Sequence, residues 1–260
     1  MTDPRTYDFP RPGVATDIAI FSIPKRGKGA GKLHVLLIKR GVDPEPGKWA
    51  LPGGFLLEDD QDLDACALRE LSEETEISAK YYLKHFRNFS DKDRDERWVV
   101  SAAYFGLMPW EKLSPRAGSD AAAIEWFQVP PDPKPPPDEA PKLPELAFDH
   151  AEILNEAIKA LRADADIPEG IPLLLRLVPH EFTLTELQIV HHAVCGHGTR
   201  PEDLRRRKAH FRKTILNSGK VDEVPDKYKM GSNRPAQLYK MRENIESQNT
   251  GEILITEREL

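Results

Sequence analysis

"LRELSEETEI", residues 68–77, sets four glutamates beside one arginine, shortly after the turn "LPGG" at 51–54. Read as a helix from about Leu63 to Thr75, the stretch brings Glu70, Glu73 and Glu74 to one side. Ala65, Leu68, Leu71 and Ser72 cover the other side, which would pack on a sheet. Like charges three and four residues apart repel, by a few tenths of a kcal/mol for each close pair. A divalent cation relieves this: magnesium takes one or two carboxylates and fills its other positions with water and substrate phosphates. A solvated acidic helix would show the same pattern, so the surrounding sequence has to decide.

Upstream, "VATDIAIFSI" (14–23) and "KLHVLLIKR" (32–40) are β-rich runs joined by "PKRGKGAG". The end of that connection, "GKGAGK", resembles a phosphate loop. Its outer glycines are one residue too close, however, and Leu33 stands where a magnesium-binding hydroxyl is needed, so the reading fails. Downstream, "YYLKHFRNF" (81–89), "VVSAAYFGL" (99–107) and "AIEWFQV" (123–129) are further strand candidates. Residues 130–144 hold eight prolines and form an extended connector. The next segment, 145–162, has helical periodicity, with Ala151, Leu154, Ala157, Ile158 and Leu161 on one apolar stripe. That stripe needs the preceding sheet as its partner. The connector therefore lies inside a first domain spanning 1–170, and the boundary falls in the stretch 165–175.

The region 171–245 reads as a second domain, followed by a tail at 246–260. In "FTLTELQIVHHAVCG" (182–196), Thr183 can cap a helix while Glu186 reaches back, and Gly196 can end it. A short turn leads to Pro201, suited to a first helical turn, and to a second helix running to about Leu216. "KVDEV" and "RPAQLYKM" then read as a hairpin. Helix, tight turn, basic helix and hairpin is the order of a winged helix-turn-helix. On the basic helix, Leu204, Phe211 and Ile215 form the buried edge. Arg206, His210 and Lys213 lie on the far side, flanked by Arg205 and Arg212, and the hairpin adds Lys227, Lys229 and Arg234. These are the candidate DNA contacts.

Charge divides along the same line. The chain carries −6 overall, yet between Arg200 and Arg242 there are 13 Lys/Arg against 5 Asp/Glu, leaving −14 for the rest. An acidic body with a basic block suggests two tasks, one of them nucleic-acid binding. The apolar run "IPLLLRLVP" (171–179) is too short for a bilayer and is broken by Arg176. The N-terminal residues carry no apolar stretch of the secretory kind. Cys66 and Cys195 lack metal-type spacing and read as reduced thiols of a cytoplasmic protein. The histidines, including His191 and His192, have no second ligand pair at metal-binding spacing.

The run "GGFLLEDDQDLDACALRELSEETEI" (53–77) resembles the Nudix box, through Arg69, Glu70, Leu71, Glu73, Glu74 and Ile77. The resemblance implies a mixed sheet sandwiched between helices, and Glu70, Glu73 and Glu74 as ligands of magnesium that polarises a diphosphate. The box departs from the family pattern at three points. Asp60 replaces a glutamate, eight residues instead of seven separate it from Arg69, and Glu76 replaces a glycine. An alignment error of about 1 Å can cost a hydrolase a hundredfold in rate. Absent or weak turnover is therefore expected.

Taken together, the two halves resemble the NrtR family, Nudix-related transcriptional regulators of NAD metabolism, over about residues 14–242. Supports outside the box are "RDERW" (94–98), "AGSDAAAIEWF" (117–127), "LAFDH" (146–150), "FTLTELQ" (182–188), "HFRK" (210–213) and "RPAQLY" (234–239). The resemblance implies an α+β fold with an N-terminal Nudix-type α/β/α sandwich and a C-terminal winged helix-turn-helix. It also implies a homodimeric repressor on a palindromic operator, released by ADP-ribose. "RDERW" stands where Arg-Asp-Pro-Arg-Gly is usual, and His210 where an asparagine is common. Arg94 and Arg97 in "RDERW" are expected at the ligand's phosphates together with Glu70, Glu73 and Glu74, since arginine's fork suits phosphate oxygens. The competing reading is a working Nudix hydrolase of ADP-ribose with an accessory basic domain. A third, an RNA-end hydrolase, fits a helix and wing less well than duplex DNA does.

Overall fold

The computed structural model describes residues 10–27, 29–75, 82–110, 121–131, 141–198, 200–230, 235–242 and 253–254. Arg234, Glu76, Ile77, most of the proline-rich connector and nearly all of the tail lie outside these.

The first half is a mixed sheet. Strand β1 (Gly13–Ser22) runs parallel to β6 (Val99–Leu107), and every other pairing is antiparallel. The principal order is β10 (Ile253–Leu254), β5 (Tyr82–Phe89), β6, β1, β2 (His34–Arg40), β3 (Trp49–Ala50), with β4 (Gly53–Phe55) on β1 and β7 (Ala121–Gln128) on β2. β1 divides its partners: Ala15–Asp17 pair with β4, whereas Phe21 and Ser22 pair with β2. It therefore splays open at its N-terminal half, where a cleft forms.

Period-two alternation builds the sandwich. Ile18 and Ile20 of β1 join Leu36, Leu83 and Tyr104 beneath helix α1 (Leu63–Thr75), whose Ala67 and Leu71 are fully buried. Ala19 and Phe21 face the other way, with Val35, Leu37 and Phe105, against α2 (His150–Asp164). The apolar stripe expected on 145–162 is found except at its start: Leu154, Ala157, Ile158 and Leu161 are buried, whereas Ala151 is exposed and Ile153 is buried instead. α1 sits differently from its sequence expectation. Its buried residues are Cys66, Ala67, Leu71 and Thr75, while Ala65 and Ser72 are only half-buried. The buried stripe is turned toward the glutamates, because β4 packs over the helix and shields that flank.

The second half is a winged helix-turn-helix. A short helix α3 (Ile171–Leu175) precedes α4 (Leu184–Val194), α5 (Pro201–Asn217) and the antiparallel hairpin β8 (Val221–Lys229)–β9 (Ala236–Met241). Both arms of the expected capping box form. The Thr183 hydroxyl accepts the Glu186 N–H at 3.2 Å, and the Glu186 carboxylate accepts the Thr183 N–H at 2.9 Å. Gly196, at φ 75°, follows the last turn of α4, where a Cβ would be strained. Phe182 exchanges two backbone hydrogen bonds with Tyr239, tying the start of α4 to the wing. One apolar core runs from α2 through α3 and α4 to Phe211 and Ile215 of α5. Across it, Arg162 at the end of α2 donates to the Val194 carbonyl at 3.1 Å. Among the described residues no helix is long and apolar enough to cross a membrane.

Candidate ligand pocket and nucleic-acid interface

The cleft left by the splayed β1 holds about 380 Å³, bounded by β1, the β4 turn, α1, the 94–99 loop and the start of α2. Two glycines admit the helix to it. A Cβ on Gly53 would overlap the Thr16 carbonyl, and one on Gly54 would occupy the place of the Glu70 carboxylate.

Of the three glutamates, Glu70 and Glu74 line the cavity and Glu73 does not. Glu74 accepts the Gly53 N–H at 2.8 Å. Burial pushes its carboxyl up to about 8, with Glu70 and Asp17 adding to the shift and the Gly53 hydrogen bond opposing it. Burial likewise raises Glu70. Glu73, with its side chain 59% exposed, turns to Arg69 at 3.1 Å. Residues 70 and 74 lie about 40° apart on one flank of the helix, while 73 lies about 60° beyond 70, toward solvent. Among the described residues no group of three or more His, Cys, Asp or Glu is gathered as a metal would require. The donor set as it stands supplies two carboxylates for a cation.

The extra residue ahead of Arg69 is absorbed in the exposed loop 56–62. Asp60 takes both a Nε and a Nη2 hydrogen bond from Arg69, at 2.9 and 2.8 Å. Arg69 holds that carboxyl down at about 2. The Phe55 carbonyl and the Glu70 and Glu73 carboxylates also accept from the guanidinium. The arginine thus braces the β4 turn against the helix, whatever its spacing in the box.

Arg94 and Arg97 both line the cavity, in different states. The Arg94 side chain is 6% exposed and bidentate to Asp149 at 2.7 Å, with Asp17 at 3.5 Å. Arg97 is half-exposed, paired with Asp95 at 2.6 Å. Its guanidinium stands 5.3 Å from the Phe55 ring centre and 5.4 Å from that of Phe148. Arg40 covers the same Phe148 ring at 5.0 Å. Phe148 itself sits at φ 50°, and Glu45 and Trp98 nearby are also left-handed, at 58° and 55°. Such conformations in non-glycine residues cost energy and collect at ligand clamps. The Glu45 carboxylate holds the Phe148 N–H at 2.7 Å.

Sequence reasoning passed over the floor of this cavity. Asp17 is buried, accepting the Ser101 hydroxyl at 2.5 Å and lying 3.3 Å from His150 Nε2. The His150 Nδ1 accepts the Leu51 N–H at 2.9 Å, so the ring proton is on Nε2 and faces Asp17. A signal was present: Asp17 is the one charged residue in the apolar run 14–23.

On the second half, Arg206, His210 and Lys213 are exposed on α5, and Arg206 and Lys213 make no ion pair among the described residues. Arg205 folds back to the Pro201 carbonyl at 3.1 Å, and Arg212 donates to the Tyr239 hydroxyl at 3.3 Å. The wing lysines are not free. Lys227 pairs with Glu181 and Lys229 with Glu186, each at 2.6 Å. His191, His192 and His197 cluster behind the turn, with His191 Nδ1 buried without a partner. Burial, with His192 and His197 adjacent, pushes His191 down to about 4.

Comparison with known proteins agrees with this division. A NUDIX domain matches residues 16–155, and an NrtR DNA-binding winged helix domain matches residues 174–241. The chain is 36% identical, over 90% of its length and 83% of the relative's, to the ADPR responsive transcriptional repressor NtrR of Acinetobacter baylyi. A MutT/nudix family protein from Enterococcus faecalis superposes with TM-score 0.70 and 25% identity, over 92% of this chain and 89% of that one. Shewanella oneidensis NrtR does so with TM-score 0.66 and 26% identity, over 90% and 96%. In its complex with a 27mer DNA, that protein matches at TM-score 0.63 and 26% identity, over 88% and 93%. The chain belongs to the NrtR family, in which a NUDIX domain and a DNA-binding winged helix share one polypeptide.

Proposed function

We propose that this protein is a DNA-binding transcriptional repressor of NAD-metabolism genes that responds to ADP-ribose. The observation that carries the reading is the pairing, on one chain, of an arginine- and aromatic-rimmed cavity with an exposed basic helix and wing. The ADP-ribose diphosphate is placed between Arg97 at the rim and the Glu70–Glu74 flank, with Arg94 holding the floor through Asp149. Glu70 and Glu74 would hold magnesium, which would supply positive charge against the phosphates; Glu73 would join them only by leaving Arg69. The DNA contacts are Arg205, Arg206, His210, Arg212, Lys213, Lys227, Lys229 and Arg234. We place the boundary between the two parts near residue 171 and locate the protein in the cytoplasm. A single winged helix reads one short half-site, so a homodimer on a palindrome, with half-sites about one DNA turn apart, supplies useful specificity.

ADP-ribose has to prefer the DNA-incompetent arrangement, and a coupling of ~1–3 kcal/mol weakens DNA binding about 5–150-fold. A gel shift on the protein's own upstream and neighbouring promoters, with and without ADP-ribose, tests this. A shifted band that ADP-ribose releases supports it, and no shift on any of them at low salt overturns it.

The second reading, an ADP-ribose diphosphatase, is kept by the braced Arg69 and the inward-facing Glu70 and Glu74. With magnesium, AMP release should be absent or far below the ~10 s⁻¹ typical of enzymes. Turnover near that rate would make catalysis, not sensing, the main task.

A further inference from the structure

A second cavity, about 470 Å³, opens in the winged helix between the first turn of α4, one flank of α5 and the wing. Many of its polar groups are already spent. The Thr183 hydroxyl serves the cap, Gln188 donates to the Leu204 carbonyl at 2.8 Å, and Gln237 donates to the Val224 carbonyl at 2.7 Å. Four lining side chains keep hydrogen-bonding capacity. Thr185, from the first turn of α4, and Tyr228, from the wing, both line the cavity and are exposed. Lys208 is exposed and makes no ion pair among the described residues, while Arg212 commits only one nitrogen, to Tyr239. No carboxylate lines the cavity. The acids that flank Thr183 and Thr185 in sequence are already engaged: Glu186 is held by Lys229 and Thr183, and Glu181 by Lys227. The first turn of α4 adds backbone N–H groups that lack intrahelical partners.

A donor-lined groove with two cations and no acid takes a phosphate oxygen. It opens on the flank of α5 that carries the exposed Arg205, beside the helix's basic outer face. A phosphate in a strand lying along that face comes within reach of both α4 and the wing.

We infer that this groove seats one phosphodiester of the duplex backbone, gripped by Lys208, Arg212, Thr185 and Tyr228, and so fixes how α5 enters the major groove. The inference rests on the DNA-binding reading above and assigns residues that the sequence pattern did not, since Lys208, Thr185 and Tyr228 lie off the face counted as basic. Backbone contacts of this kind position a protein without reading sequence.

The test uses the full chain and a short fluorescein-labelled duplex of arbitrary sequence, with binding followed by anisotropy across a salt series. Lys208→Gln should weaken binding roughly tenfold and reduce the slope of log affinity against log salt by about one. Lys208→Arg should restore both. Thr185→Ala and Tyr228→Phe should weaken binding with the slope unchanged, because each removes a hydrogen bond and no charge. All of these residues are exposed, so melting temperatures should match the wild type and set aside a folding explanation. Inorganic phosphate at millimolar concentration should compete no better than chloride at equal ionic strength. Strong competition would assign the groove to a free anion and overturn the inference. Wild-type binding with unchanged affinity and slope in Lys208→Gln overturns the groove and leaves the repressor reading standing. Absence of wild-type binding to any duplex at low salt removes both.

Discussion

The two ends of this protein handle positive charge in opposite ways. In the ligand cavity Arg94 is buried and locked to Asp149 and Asp17, and beside the cavity Arg69 is largely buried and locked to Asp60 and Glu70. On α5, Arg206, Lys208 and Lys213 are exposed and make no ion pair among the described residues. A buried, paired guanidinium cannot move without stranding its partners, so it fixes the shape of a site. An exposed, unpaired cation costs little to reorganise, and it gains free energy by displacing counterions from a polyanion. One region is built for shape and the other for attraction. The wing is intermediate, because its lysines are exposed yet already neutralised by Glu181 and Glu186.

The sharpest way to break this contrast is at Arg94. Arg94→Ala strips Asp149 of its bidentate cation and leaves Asp17 with only Ser101 and His150 in a buried setting, and a loss of about 3–5 kcal/mol in unfolding free energy is expected. Denaturant unfolding measures it, and a loss below about 1 kcal/mol would show that the network is not structural. Next comes acid. The folded-state pKa of His191, near 4, lies below the ordinary value of about 6.5. Its contribution is therefore complete above pH 6.5 and is lost as pH falls toward 4, at about 1.4 kcal/mol per unit. Melting curves between those limits should show this decline, and His191→Phe should flatten it. An equally steep decline in the variant would assign the acid sensitivity elsewhere.

On the exposed side, effects should appear in binding and leave stability alone. Arg206→Ala or Lys213→Ala should cost ~1–3 kcal/mol on the operator and relax its sequence preference where the side chain reaches a base edge. Equal losses on operator and unrelated DNA would make these residues backbone contacts instead. The smallest effect belongs to the wing. Because Lys227 is already paired, Lys227→Ala should lower the salt slope by less than one, whereas Glu181→Gln should tighten binding by releasing the lysine. A full unit lost with Lys227→Ala would mean that the ion pair opens on DNA.

The architecture was largely readable from the residues, because periodicity and end signals were strong. Thr183 with Glu186, Gly196 and Pro201 marked α4 and α5, and the apolar stripe of 154–161 marked α2. Features created by contacts distant in sequence were not. The floor of the cavity joins Asp17, Ser101 and His150, 84 residues apart for the first pair. Spacing along the chain gives no indication of such a meeting. The α1 glutamates show the limit of a helical projection: it grouped three, but β4 covers one flank only, so Glu73 is left in solvent. The pairing of Lys227 with Glu181 was equally hidden, since it forms only once the wing folds back on the segment preceding α4.

The unbroken core from α2 to α5 makes the DNA-binding half something other than an interchangeable cassette. Ile158, Leu161 and Ala165 share one apolar cluster with the sheet residues and with Leu187, Val190 and Val194 of α4. Cutting the chain near residue 171 and grafting the winged helix onto another body would leave apolar surface bare on both pieces. Any receiving scaffold would have to bring its own version of the last two turns of α2, with an arginine to meet the Val194 carbonyl. A single shared core of this kind predicts one cooperative melting transition rather than two.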